Sequence, residues 1–511
     1  MNAKFPSGLV LTCAMCLLSE QALASPRQCA EMLNLQLPEV RITDAVAVAD
    51  SGLPAGPVNV PHCKVYGVIG QEIRFEMLLP DDWNQRFFMG GGGGYVGQVV
   101  NAALGTVNQG YATVGTDTGH QGHGIQAGWA LNHLERQLNF GYLAVHRTAE
   151  VAKALIRAYY GSAPEFSYFT GCSRGGGQAL MEAQRYPDDF DGIIAGAPAF
   201  DWTGFMAEMV QNVQLSFPDP KHLAPPVVTL DNLKLLESKV LAACDPLDGV
   251  TDGIMEDPRD CFFDLADIPA CPEDLQGPDC FTKAQRAAIA RVYAPATNQD
   301  GVLYPGQPFG GESHPQGWYP WITGLADGTL EGLGIPSLQW GFGTEFFKYF
   351  VFGDPEWKYT RYDFSTWEKD SRLVSTFMDA TNPDLSAFQN RGGKLILWHG
   401  WSDPALSALG SAEYYEQVEA LDAHIREYFR MFLLPGVLHC GGGPGPDNTD
   451  WNAALVDWVE RGVAPERLVA AKHDEGGQVV RTRPLCPYPQ RAVYTGKGST
   501  DEAESFVCQS P

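Results

Sequence analysis

Gly171-Cys172-Ser173-Arg174-Gly175 is the stretch of this chain best suited to covalent chemistry. A serine hydroxyl is a weak nucleophile at neutral pH, so it needs a base to take its proton and a third group to orient that base. Residues 166–170 read as a strand, and the residues from Gly176 onward as a helix. Strand, tight glycine turn and helix form the setting in which a Gly-x-Ser-x-Gly serine projects its hydroxyl into a cleft. The helix N-terminus behind it favours developing negative charge. The pentapeptide alone recurs by chance, and its flanking elements are what single it out.

In chains built this way an acid and then a base follow the serine, each just after a late strand. Asp403 follows the apolar run 394–398 and His439 follows the run 428–434, so these two fill the expected places. Among the 11 histidines, His399 precedes Asp403, His120 lies on an early loop and His424 sits past a helix end. Asp447 comes too late in the order, and Asp191 and Asp201 too early. The glycine run 90–94 follows the strand-like segment 86–89, where a backbone amide is needed to hold an oxyanion. Gly91 and Gly92 are the candidate donors, with the Arg174 amide as the second. A phosphate-binding loop would require Gly-Lys-Ser or Gly-Lys-Thr, which does not follow this run.

Elements of alternating type must position these groups. Strand-like segments at 73–79, 86–89, 111–115, 166–170 and 192–195 alternate with helical periodicity over 142–160 and 181–185. The alternation stops at about residue 200 and resumes with a strand at 394–398, a helix at 407–421, a strand at 428–434 and a helix at 451–461. This pattern predicts an α/β-hydrolase fold with a mostly parallel sheet. It is divided into a first catalytic part over 25–200, an inserted lid over 201–390 and a second catalytic part over 391–511. The residues after 465 read as a short extended tail.

The bulk properties narrow the class. With 511 residues, 44% of them hydrophobic and 19% charged, the chain is long enough for a folded body and an added module. A net charge of -26 would repel phosphate backbones and anionic bilayers, which argues against nucleic-acid and membrane partners. Residues 1–24 carry Lys4, an apolar stretch over 9–18 and Ala22-Leu23-Ala24, the pattern of a cleaved export signal. A lipid anchor at Cys16 would need a better lipobox than Cys13-Ala14-Met15. Removing the signal leaves ten cysteines, an even number that suits five disulfides in an exported protein. If Ser173 and His439 meet, their neighbours Cys172 and Cys440 meet as well, and a bond between them would tie the two loops together.

Four segments together resemble the tannase and feruloyl esterase family, which includes terephthalate monoester hydrolases. They are Gly171-Cys172-Ser173-Arg174-Gly175-Gly176, the stretch 186–198, Trp398-His399-Gly400-Trp401-Ser402-Asp403-Pro404, and His439-Cys440. The resemblance implies Ser173, Asp403 and His439 as a triad and a Cys172–Cys440 disulfide. It also implies the pairs Cys29–Cys63, Cys244–Cys261, Cys271–Cys280 and Cys486–Cys508. The segment 245–254 is similar to the family's lid calcium loop, with Asp245, Asp248 and Asp252 and the carbonyls of Val250 and Ile254 as hard oxygen ligands. An EF-hand does not fit, because Leu247, Gly249 and Val250 stand at its third, fifth and sixth positions.

Fifteen of the 50 residues from 318 to 367 are aromatic, against 11% of the whole chain. Most are expected to form the lid's own core, and a few facing the cleft would suit a flat aromatic acyl group. The expected function is a secreted or periplasmic serine esterase for small aromatic esters of the gallate or hydroxycinnamate type. A terephthalate monoester hydrolase is the alternative, for which Lys348, Lys358 or Arg361 would bind the substrate carboxylate. A non-catalytic binding protein on the same fold is the remaining reading, and an intact Ser, Asp and His set argues against it.

Overall fold

The computed structural model describes Met1 and residues 28–49, 57–325, 329–330 and 332–511. The expected export signal, Met1 apart, lies outside the described residues.

The chain opens with β1 (Val40–Val48), β2 (His62–Ile69) and β3 (Ile73–Pro80), which pair in antiparallel fashion. β1 lies at the sheet edge with most of its residues exposed or half-exposed, so it lacks the apolar run that marks a buried strand. Next come β4 (Arg86–Gly90), β5 (Ala112–Thr116), α1 (Leu134–Leu138) and α2 (Ala144–Tyr160). A π-helical turn, Asn139–Leu143, leads into α2. β6 (Phe166–Cys172), α3 (Arg174–Arg185) and β7 (Gly192–Gly196) complete the first part.

An insertion separates β7 from its sheet neighbour. It contains α4 (Trp202–Ser216), α5 (Leu230–Cys244), α6 (Lys283–Tyr293), the hairpin of β8 (Ala296–Asn298) and β9 (Gly301–Tyr304), α7 (Leu338–Phe346), α8 (Trp367–Met378) and α9 (Ser386–Asn390). The sequence shows no regular element order here, yet the segment is largely helical. α4 explains the difference: nearly every residue along it is buried, so it carries no polar face and no amphipathic stripe.

β10 (Lys394–Gly400), α10 (Ala408–Leu421), β11 (Phe429–Leu434) and α11 (Trp451–Arg461) finish the main body. The expected extended tail is instead two small antiparallel sheets, β12 (Leu468–His473) with β13 (Val479–Leu485) and β14 (Arg491–Tyr494) with β15 (Phe506–Gln509).

The nine-stranded sheet runs β1-β2-β3-β5-β4-β6-β7-β10-β11, and its last six strands are mutually parallel. Helices cover both faces. Leu155, Ile156, Leu180 and Tyr415 pack on one side, while Leu455 and Trp458 pack against Ile194, Ile396 and Phe432 on the other. Strands shielded on both faces read as continuous apolar runs, which is why β6, β7, β10 and β11 stand out in the sequence. From β4 the chain passes to β5 on one side and then to β6 on the other. The carboxyl ends of β4 and β6 therefore flank a topological switch, the usual place for a ligand in such sheets.

Candidate active site

Ser173 lies in the turn between β6 and α3, with φ 62° and ψ -121°. A non-glycine residue in this left-handed region stores strain of about 1–3 kcal/mol, which the surrounding bonds must hold. Here the Ser173 amide donates to Gly196 O at 3.0 Å, and its carbonyl accepts from Gly177 N at 3.0 Å and Ala199 N at 2.9 Å. The glycines make the turn possible by close approach. A Cβ on Gly171 would lie 2.5 Å from the Gly175 carbonyl carbon, and one on Gly176 would lie 2.2 Å from Gly196 O.

The acid and base loops leave the ends of the paired strands β10 and β11 and are joined to each other. Trp401 N donates to Leu434 O at 2.9 Å, and Ser402 N to Val437 O at 3.0 Å. This brings His439 Nδ1 within 2.7 Å of Asp403 Oδ2. Asp403 Oδ1 accepts the amides of Ala405 at 2.8 Å and Leu406 at 3.0 Å. The Asp403 side chain is fully buried. Burial by itself would raise its pKa, but the charge of His439 and hydrogen bonds from His399 and His439 hold the carboxyl well below the ordinary carboxylate range.

Ser173 and His439 line one cleft of about 320 Å³, together with Gly94, Arg174, Ala199, Ala405 and Leu406. Trp202, Phe205, Met206, Met209, Trp321 and Phe342 supply its apolar wall. Trp321 meets the His439 ring edge-on at 5.0 Å and stacks on Phe342 at 6.3 Å. Most of the aromatic residues between 318 and 367 instead form lid core, among them Phe346, Phe347, Phe350, Tyr359 and Phe364. The Ser173 hydroxyl forms no hydrogen bond among the described residues. Such bonds are commonly long before substrate binds and tighten in the complex.

The glycine loop corrects one expectation. The Gly91 amide already donates to Thr170 O at 2.9 Å, extending the β4–β6 ladder, and the Gly92 amide donates to Gln178 Oε1 at 3.1 Å. Neither is available to an oxyanion. The amides of Gly93, Gly94 and Arg174 have no partner among the described residues, and Gly94 and Arg174 border the cleft beside Ser173. A larger cavity between α4, α8 and α10 is lined by Asp201, Trp367, Asp379 and Glu413 but touches neither Ser173 nor His439.

The five disulfides are Cys29–Cys63, Cys172–Cys440, Cys244–Cys261, Cys271–Cys280 and Cys486–Cys508. The second joins the residues next to Ser173 and His439 and spans 268 positions. On the chain-entropy account a loop of that length gives roughly 5 kcal/mol of stabilisation. It also ties the loop of Ser173 to the loop of His439.

Around the expected calcium loop, Gly249 and Gly253 take φ 89° and 79° and fold the segment back on itself. Asp245 Oδ1 accepts from Gly253 N at 3.1 Å, and Asp248 Oδ1 accepts from Val250 N at 3.0 Å. Burial raises the pKa of Asp248 and Asp252; neighbouring aspartates add to the rise, while Arg483 and Arg481 oppose it at Asp252. Carboxylates are the hard oxygen donors a divalent cation takes, but the ligand atoms of Asp245, Asp248 and Asp252 do not converge as a set of three, and each carboxylate is engaged by backbone amides or by an arginine. Arg483 and Arg481 of β13 contact Asp252 Oδ2, and Glu256 accepts the Ala492 amide at 2.7 Å, so the terminal sheets are anchored to this loop.

The parallel sheet with a strained serine at its switch point defines an α/β-hydrolase fold. The chain belongs to the tannase and feruloyl esterase family, whose model matches residues 58–509, and it is a carboxylic ester hydrolase. It is 35% identical to an uncharacterised esterase of Xanthomonas campestris, over 94% of this chain and 91% of that one. It is 34% identical to mono(2-hydroxyethyl) terephthalate hydrolase of Piscinibacter sakaiensis, covering 88% and 85% of the two chains. The crystal structure of feruloyl esterase B from Aspergillus oryzae superposes with a TM-score of 0.81 at 26% identity, covering 94% of this chain and 98% of that one. No helix among the described residues is long and apolar enough to cross a membrane.

Proposed function

We propose that this chain is an exported serine esterase that hydrolyses esters of aromatic acids, hydroxycinnamates in preference to gallates, through an acyl-enzyme. His439 Nε2 takes the Ser173 proton as Oγ attacks the ester carbonyl. The amides of Arg174 and of Gly93 or Gly94 hold the oxyanion. His439 returns the proton to the departing alcohol and then activates the water that releases the acid.

The apolar wall of the cleft carries the substrate reading. Apart from Ser173, His439 and Arg174, the described side chains that line it are apolar or, at Trp202 and Trp321, offer only an indole N–H, which donates and cannot accept. The three hydroxyl hydrogens of a galloyl ring would find few acceptors there, whereas a hydroxycinnamoyl group presents a longer apolar face. Lys348, Lys358 and Arg361 do not border the cleft, and Arg174 is turned inward onto the carbonyls of Phe140 and Gly141. An acyl group ending in a free carboxylate, as in a terephthalate monoester, therefore meets no available cation among the described residues that line the cleft. The test is a hydrolysis panel of methyl ferulate, methyl gallate, chlorogenate and a terephthalate monoester. Ferulate or chlorogenate is expected to give the highest kcat/KM, by at least tenfold over the terephthalate monoester. A terephthalate monoester or gallate turned over fastest would overturn the assignment.

The signal-like residues 1–24 and five disulfides, which persist in oxidising compartments, support export. Calcium is assigned a structural role in the lid, held by Asp245, Asp248 and Asp252 with the carbonyls of Val250 and Ile254. It would neutralise charge within the turn and has no part in the chemical steps. Saturating this site at about a hundredfold over Kd stabilises by ~2.7 kcal/mol, so chelation is expected to lower Tm by roughly 5 °C, with recovery on adding calcium. An unchanged Tm, with no calcium bound to the dialysed protein, would remove the ion from the account.

A further inference from the structure

Resting on the triad reading above, we propose that His399 is a positioning residue that fixes the Asp403 carboxylate by sharing Oδ2 with His439. His399 ends the strand β10 with its side chain 1% exposed, and Asp403 follows four residues later with its side chain fully buried. His399 Nε2 lies 3.1 Å from Asp403 Oδ2 and 3.2 Å from Leu406 O. Both partners accept, so Nε2 carries the proton. Nδ1 lies 2.8 Å from Ser411 Oγ on α10, and a hydroxyl can supply the hydrogen of that bond. Both ring nitrogens are thus engaged.

The count of hydrogen bonds to Asp403 gives this ring its role. Oδ1 accepts the amides of Ala405 and Leu406, and Oδ2 accepts from His439 and His399. A carboxylate has about four acceptor sites, so every one is used. Without His399, Oδ2 would keep a single donor in a place closed to water. The carboxylate could then rotate or take a proton, and His439 would lose its fixed orientation. Ser411, His399 and Asp403 do not border the cleft that holds Ser173 and His439.

The test compares His399→Gln, whose amide reaches about as far as Nε2 and keeps a donor, with His399→Leu, which has none. His399→Leu is expected to lower kcat by about 10–100-fold with KM within threefold of wild type. His399→Gln is expected to recover most of that loss. Rates are expressed per folded molecule, counted by native-state calorimetry, so partial misfolding does not imitate the effect. A second readout is the strongly deshielded proton of the Asp403–His439 hydrogen bond in the NMR spectrum, expected in wild type and His399→Gln and lost or displaced in His399→Leu. Equal kcat in the two variants, or an unaltered proton signal in His399→Leu, overturns the proposal. Failure of Ser173 in wild type to react with a fluorophosphonate would instead sink the triad reading itself.

Discussion

Ser173→Ala is expected to lower kcat for a hydroxycinnamate ester by at least about 10⁴-fold, since removing the nucleophile of such a triad leaves only the oxyanion amides and binding. KM should stay within a few-fold, because the apolar wall of Trp202, Phe205, Met209 and Trp321 is untouched. Stability should change by less than about 1 kcal/mol: the hydroxyl makes no hydrogen bond among the described residues, and alanine inherits the same left-handed backbone. Labelling by a fluorophosphonate should vanish. Retention of more than a few per cent of the wild-type rate by a folded variant would show that another residue attacks the ester.

Asp403→Asn is expected to cost about 10³–10⁴-fold in kcat, for a reason visible in its contacts. The amides of Ala405 and Leu406 both point at Oδ1, so the asparagine oxygen must remain there. Its amide nitrogen then replaces Oδ2 and presents hydrogens to His439 Nδ1. This selects the tautomer with a proton on Nε2, which cannot accept one from Ser173. The same change predicts a pH effect on stability. The Asp403 pKa is lowered on folding, so its ionisation stabilises the fold above the unfolded value of about 3.9, and that contribution is lost as pH falls through the folded value. Denaturation of wild type and Asp403→Asn between pH 5 and 2 should therefore show a shallower acid-side decline in the variant. Parallel curves would mean that the carboxylate is not held ionised by its neighbours.

How far the site could be read from sequence differed from one group to the next. Ser173 was legible because glycine on both sides, a buried strand before and a helix after are all local features. Asp403 and His439 followed from their order after late apolar strands. His399 passed as a discarded rival for the base, since its bond to Asp403 depends on how the loop after β10 curls back. The oxyanion donor was misplaced for the same reason: whether Gly91, Gly92, Gly93 or Gly94 has a free amide depends on Thr170 and on Gln178, 86 residues away from Gly92. The edge strand β1 gives no apolar signal because most of it is exposed, and α4 gives no amphipathic signal because it is buried nearly all round.

The sequence by itself determined the candidate serine, acid and base and their order, the parallel sheet and the even set of cysteines, because each is written in neighbouring residues or in the period of an element. The tertiary structure decided which amides remain free, which aromatics face the cleft and which histidines contact Asp403. Those outcomes depend on hydrogen bonds and contacts between segments far apart in the chain, where one partner engages a group and so withholds it from every other.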